Sequence, residues 1–123
     1  MSVIVRDDGF HADDYQGGAV VEVASDLAPG DLPDVGGAGL VIVAFPAFSD
    51  GRGFTLARHI RAAGYHGRLR ARGHIIADQY AMARRVGFDE VEISDDLAAR
   101  QTADQWQFRA NWQAHDYRAR LRG

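Results

Sequence analysis

The chain has no cysteine and no lysine among its 123 residues. Without thiols it forms no disulfide, holds no cysteine-ligated iron–sulfur cluster and performs no thiol redox chemistry of its own. Without a side-chain amine it has neither a Schiff-base lysine nor the phosphate-gripping lysine of a Walker loop. Long apolar runs are missing too: none approaches the ~18 residues of a membrane span. The opening residues, Met1-Ser2-Val3-Ile4-Val5-Arg6, lack the basic start, apolar stretch and cleavage site of a secretory signal. The expectation is a cytoplasmic protein with no membrane contact.

What is present reads as one globular domain, with 46% hydrophobic and 25% charged residues. All basic residues are arginine, and they are unevenly placed. From Arg52 to Arg85 the chain holds eight arginines and a single acid, Asp78, whereas the remainder is strongly acidic and brings the net charge to −3. Such polarity suits either an anionic ligand or pairing between the two parts. The acidic balance, a pI near 5.9 and the absence of a recognition motif argue against nucleic acid.

Residues 1–18, polar and aspartate-rich, read as an N-terminal arm or weak edge hairpin. Strands are expected at 19–23, 40–45, 68–72 and 88–93. Helices are expected after the loop that follows Phe45, from about His74 to Val86, and from Leu97 to about Trp112. The alternation gives an α/β fold: an open, mostly parallel four-stranded sheet with helices in the order β-β-α-β-α-β-α. The α/β domain spans 19–112, and an arginine-rich tail occupies 113–123.

Ligands of such sheets gather beyond the C-terminal strand ends. Two turns qualify. In the first, Asp50-Gly51-Arg52-Gly53, the glycines allow close backbone approach and Arg52 offers a forked donor. The second is Arg72-Gly73-His74. The candidate anion or ligand residues are therefore Asp50, Gly51, Arg52, Gly53, Arg70, Arg72, Gly73 and Gln79, with Asp50 and Asp78 as acid–base candidates. Each has a plainer alternative. The loop serves equally as a tight turn, Gln79 as a backbone partner within its helix, and the Arg68, Arg70, Arg72 row as a partner for Glu90 and Glu92 on a neighbouring strand. The five histidines show no HxxxH or HxH spacing, so no metal site is expected. Trp106, Phe108, Trp112 and Tyr117 read as core and docking residues or as a homo-oligomer contact.

Several of these features occur together: Phe-Pro-x-Phe-x-Asp-Gly-Arg-Gly (45–53), Ala-Arg-x-x-Arg (57–61), Gly64-Tyr65, Leu69-Arg70-Ala71-x-Gly73, Asp78-Gln79 and Gly87-Phe88. In this combination the chain resembles a family of small bacterial proteins of unknown function whose members are labelled oxidoreductases of sulfite reduction. Their genes lie beside those of sulfite reductase and cysteine biosynthesis. The resemblance implies a pathway and a partner, the sulfite reductase machinery, and brings no catalytic residues with it. Val86 stands where a cysteine is expected in the family. The chain shows no means of holding a redox centre covalently, which leaves flavin or siroheme as non-covalent options. The expectation is an accessory or anion-binding protein. The alternatives are an enzyme acting on an anionic substrate and a purely structural or oligomerisation module.

Overall fold

Val41, Val43 and Phe45 alternate with Leu40 and Ile42, all of them buried, so this segment is apolar on both sides and takes a central place in a sheet. In a computed structural model describing residues 2–15, 18–47 and 51–109, without the side chains at 29, 108 and 109, it is β4 of a six-stranded sheet. The strands are β1 (Ser2–Arg6), β2 (Gly9–His11), β3 (Ala19–Ala24), β4 (Ala38–Phe45), β5 (Arg68–Gly73) and β6 (Glu90–Ser94). The helices are α1 (Arg52–Ala62), α2 (Tyr80–Val86), α3 (Asp95–Arg100) and α4 (Ala103–Arg109).

The strand order is β2-β1-β6-β5-β4-β3. β3 to β6 are parallel and adjacent in chain order, while β1 pairs antiparallel with both β6 and β2. The expected α/β class and the four parallel strands are present, but the sheet is six-stranded and mixed, not four-stranded. The difference lies in the N-terminal segment. Ile4 and Val5 are fully buried, because β1 sits inside the sheet, between β2 and β6.

Because the parallel strands advance in one direction, right-handed crossovers place α1 and α2 on the same face. Val41, Val43, Phe45, Leu69, Ala71, Val91 and Ile93 form a core there with Leu56 and Ile60 of α1 and Ala83 and Val86 of α2. At about 25 cal/mol per Å² of apolar surface, this layer supplies the main driving force of the fold. Gly64 and Gly87 follow α1 and α2 at φ 102° and 117°, in the left-handed region that lets a helix stop within one residue.

Two helices differ from expectation. The segment from His74 does not start a helix: the amides of His74 and Ile75 bond to the carbonyls of Phe45 (3.1 Å) and Gly73 (3.0 Å), which ties the chain back onto the strand ends. A 3-10 turn at Ala77–Gln79 then leads into α2. Tyr80, Ala83 and Val86 are its buried residues, and Met82 is 43% exposed. The last helix is broken in two. Ser94 caps α3 by accepting from the Leu97 amide (3.2 Å), as the Ser-Asp-Asp pattern predicts. Gln101 then turns extended, its side chain accepting from the Ala77 amide and its carbonyl from the Trp106 indole.

Candidate functional site

The motif loop starts from Phe45. Its ring packs against Phe54 and Phe88 at centroid distances of 5.1 and 5.9 Å. Gly53, in the first turn of α1, abuts the outer end of the same ring, where a Cβ would collide with it. Gly73 stands as close to the Phe45 carbonyl. Gly53 thus lets one crossover turn press on the Phe45 ring, and Gly73 lets the next press on the Phe45 backbone. Asp50 lies outside the described residues.

Around this clamp are two hollows at the C-terminal end of the parallel strands. A small cavity of about 260 Å³ is lined by Ser25, Asp26, Leu27, Ala28, Arg52, Thr55 and Leu56. On the other side of α1 an open groove of about 650 Å³ runs between α1 and α2, lined by Gly51, Phe54, Thr55, Arg58, Asp78, Gln79, Met82 and Val86. Gly51, Asp78 and Gln79, distant in sequence, meet in this groove. Gln79 also holds the local backbone, its Oε1 accepting from the Ile76 amide at 3.0 Å. A third hollow, about 840 Å³, lies at the opposite end of the strands between Leu32–Gly36 and the end of α1.

Arg70 and Arg72 are not in the groove. They alternate onto the face of the sheet opposite α1 and α2, so Arg72 and Arg52 stand on different sides. Arg70 is 1% exposed and donates to Glu90 (2.6 Å), Glu92 (3.0 Å) and both oxygens of Asp13 (3.0 and 3.1 Å). Arg68 donates to Glu90 and Asp14, and Arg72 reaches across β4 to Glu22. The register explains the pattern: Arg70 is the Cα partner of Glu90 and Arg72 of Glu92, so rows of opposite charge meet across two parallel strands. Burial alone lowers the Arg70 pKa, yet its bonds to Asp13 and Glu90 hold it above the ordinary value. No buried side-chain nitrogen or oxygen lacks a partner among the described residues. The arginine row therefore faces carboxylates, and Arg70 is covered while Asp13, Glu90 and Glu92 are in place.

Arg58 is different. It is exposed on α1, lines the groove beside Asp78 and Gln79, and forms no ion pair or hydrogen bond with a described residue. Its helical neighbour Arg61 is tied down, donating to the carbonyls of Tyr65, Gly67 and Gly87 and to Asp89. The Ala-Arg-x-x-Arg motif holds both arginines and does not by itself separate them. The available signal was the Ala-Arg-x-x-Arg spacing followed by Gly64-Tyr65, since only the second arginine lies within reach of the chain leaving the helix.

Among the aromatics, Trp106 is fully buried, its ring edge-on to Tyr80 at 6.0 Å. The Tyr80 hydroxyl donates to Asp7, and burial together with that carboxylate pushes its pKa up. Trp112, Tyr117 and the side chain of Phe108 lie outside the described residues. Among the described residues no group of three or more His, Cys, Asp or Glu side chains is arranged to hold a metal ion, and no helix is long and apolar enough to cross a membrane.

Residues 20–120 match a family described as a bacterial protein of unknown function, DUF934. No curated protein and no solved structure matches the chain.

Proposed function

The chain belongs to this bacterial family of unknown function, and from that premise we propose that it is an accessory protein of bacterial sulfite reduction and cysteine biosynthesis that docks on the sulfite reductase machinery. The motifs that carry the resemblance supply the pathway. One observation supports the docking mode: the groove between α1 and α2 gathers the motif residues Gly51, Asp78 and Gln79 around Arg58, which pairs with no described residue, and an exposed Met82. A cation beside apolar surface suits a partner segment that carries an acid next to apolar side chains, because the ion pair sets register and the apolar contact supplies affinity.

The test is a pull-down from lysate of the native host with the tagged full chain. Wild-type protein is expected to retain sulfite reductase subunits, and Arg58→Glu to lower their recovery by about tenfold or more. Absence of those subunits from the wild-type eluate contradicts the reading. A second reading, an enzyme acting on a small anionic substrate, draws on Asp78 standing in the same groove as Arg58. It predicts that Asp78→Asn abolishes a turnover that docking does not require. Purified protein retaining the visible absorbance of flavin or siroheme would favour the oxidoreductase label within that reading.

A further inference from the structure

The sheet face opposite α1 and α2 carries an arrangement that docking through the groove does not use. Residues 12–15 follow β2, belong to no strand or helix, and lie between Arg6 on β1 and Arg68 and Arg70 on β5. Asp13 takes Arg70 as a fork, with Nη1 donating to Oδ2 at 3.1 Å and Nη2 to Oδ1 at 3.0 Å. A single oxygen of Asp14 accepts from both Arg6 Nη2 (2.6 Å) and Arg68 Nη2 (2.7 Å). Beneath them Glu90, itself 2% exposed, accepts from the Nε of all three arginines at 2.6–3.2 Å. Three guanidinium groups thus converge above a fixed carboxylate floor and present outward-facing donors to two further anionic groups.

Those two groups are loosely tethered. Asp13 and Asp14 are 49% and 59% exposed, and among the described residues no backbone hydrogen bond joins 12–15 to the sheet. Apart from the carboxylates, the segment is held by Tyr15, whose ring lies 5.9 Å from the Arg68 guanidinium. The charges also balance in a telling way. Arg6, Arg68 and Arg70 over Glu90 and Glu92 leave one positive charge, which Asp13 and Asp14 convert to one negative. A free dianion in place of the two aspartates gives the same total.

We propose that Arg6, Arg68 and Arg70 form a binding site for a small dianionic oxyanion of the sulfate or phosphate class, and that Asp13 and Asp14 occupy it as an internal stand-in for that ligand. Forked and shared guanidinium donors are the chemistry that recognises such oxygens. This site lies on the opposite face from the groove and stands or falls independently of it.

The test compares thermal unfolding of the wild-type chain and Asp13→Asn/Asp14→Asn in rising sodium sulfate and, separately, sodium phosphate, with sodium chloride at matched ionic strength. An anion that binds only the folded state raises the midpoint by roughly 5 °C at ten times its dissociation constant. The double variant is expected to show such a rise beyond the chloride control and wild type to show little. Adding Arg70→Met to the double variant is expected to abolish it. Equal responses in wild type and double variant, or a response that survives Arg70→Met, overturn the proposal. If the double variant is unfolded in buffer, Asp14→Asn alone decides, because its partners Arg6 and Arg68 are part-exposed and need no buried charge uncovered. A sulfate or phosphate rise in that variant beyond the rise in wild type supports the site, and its absence overturns it.

Discussion

Arginine in this chain takes two roles that the side chain's identity alone does not distinguish. Arg70 is buried against Glu90 and Asp13, while Arg58 stands exposed beside a groove. The acids that meet the arginine row are perturbed accordingly. Hydrogen bonds from Arg6 and then Arg68 hold the Asp14 carboxyl well below the usual carboxylate range, and those from Arg70 lower Asp13. A carboxylate whose native pKa is depressed contributes stability above its unfolded pKa, near 3.8, and loses that contribution as pH falls through the lower native value. Side-chain carboxyl NMR titration is therefore expected to place both midpoints below 3.8. Midpoints at or above that value would show that these carboxylates do not engage the arginines in solution. At this scale the uneven placement of arginine was legible but not its roles, because choosing between Arg58 and Arg61 requires knowing that the chain returns past Tyr65, Gly67 and Gly87.

Among the elements, the parallel strands were legible because their patterns are unambiguous: β4 is apolar on both sides, and β5 alternates arginine with Leu69 and Ala71. β1 was not. Its five residues, Ser2–Arg6, are too short to declare a period. Its partner β6 lies about ninety residues away, with Ile4 opposite Glu92 and Val5 opposite Val91. No local pattern announces a pairing of that range. Because β1 is hydrogen-bonded on both sides, hydrogen exchange is expected to protect the amides of Val3, Ile4 and Val5 to within about tenfold of those in β4. Exchange there at nearly the unfolded rate would show a frayed terminus and refute the interior placement. The helix expected from about His74 starts later for a related reason: the bond from the His74 amide to Phe45 ties the chain to a strand edge, and α2 begins only at Tyr80.

In the whole molecule the two faces of the sheet divide the chemistry. One carries the apolar core beneath α1 and α2, and the groove between them gathers Gly51, Asp78 and Gln79 with Arg58. The other carries an ion-pair layer in which Arg6, Arg68, Arg70 and Arg72 meet Asp13, Asp14, Glu22, Glu90 and Glu92. The charge asymmetry seen in the sequence is thus answered largely within the fold. The central claim is that the β5 arginines maintain the structure while Arg58 faces outward. Equilibrium unfolding in urea of Arg70→Met beside Arg58→Met tests it most directly. Removing one partner of a buried pair costs about 3–5 kcal/mol, and an exposed, unpaired side chain about 0.5 kcal/mol or less. The account predicts that Arg70→Met loses stability on the larger scale and Arg58→Met on the smaller. Losses of equal size in the two variants would contradict it.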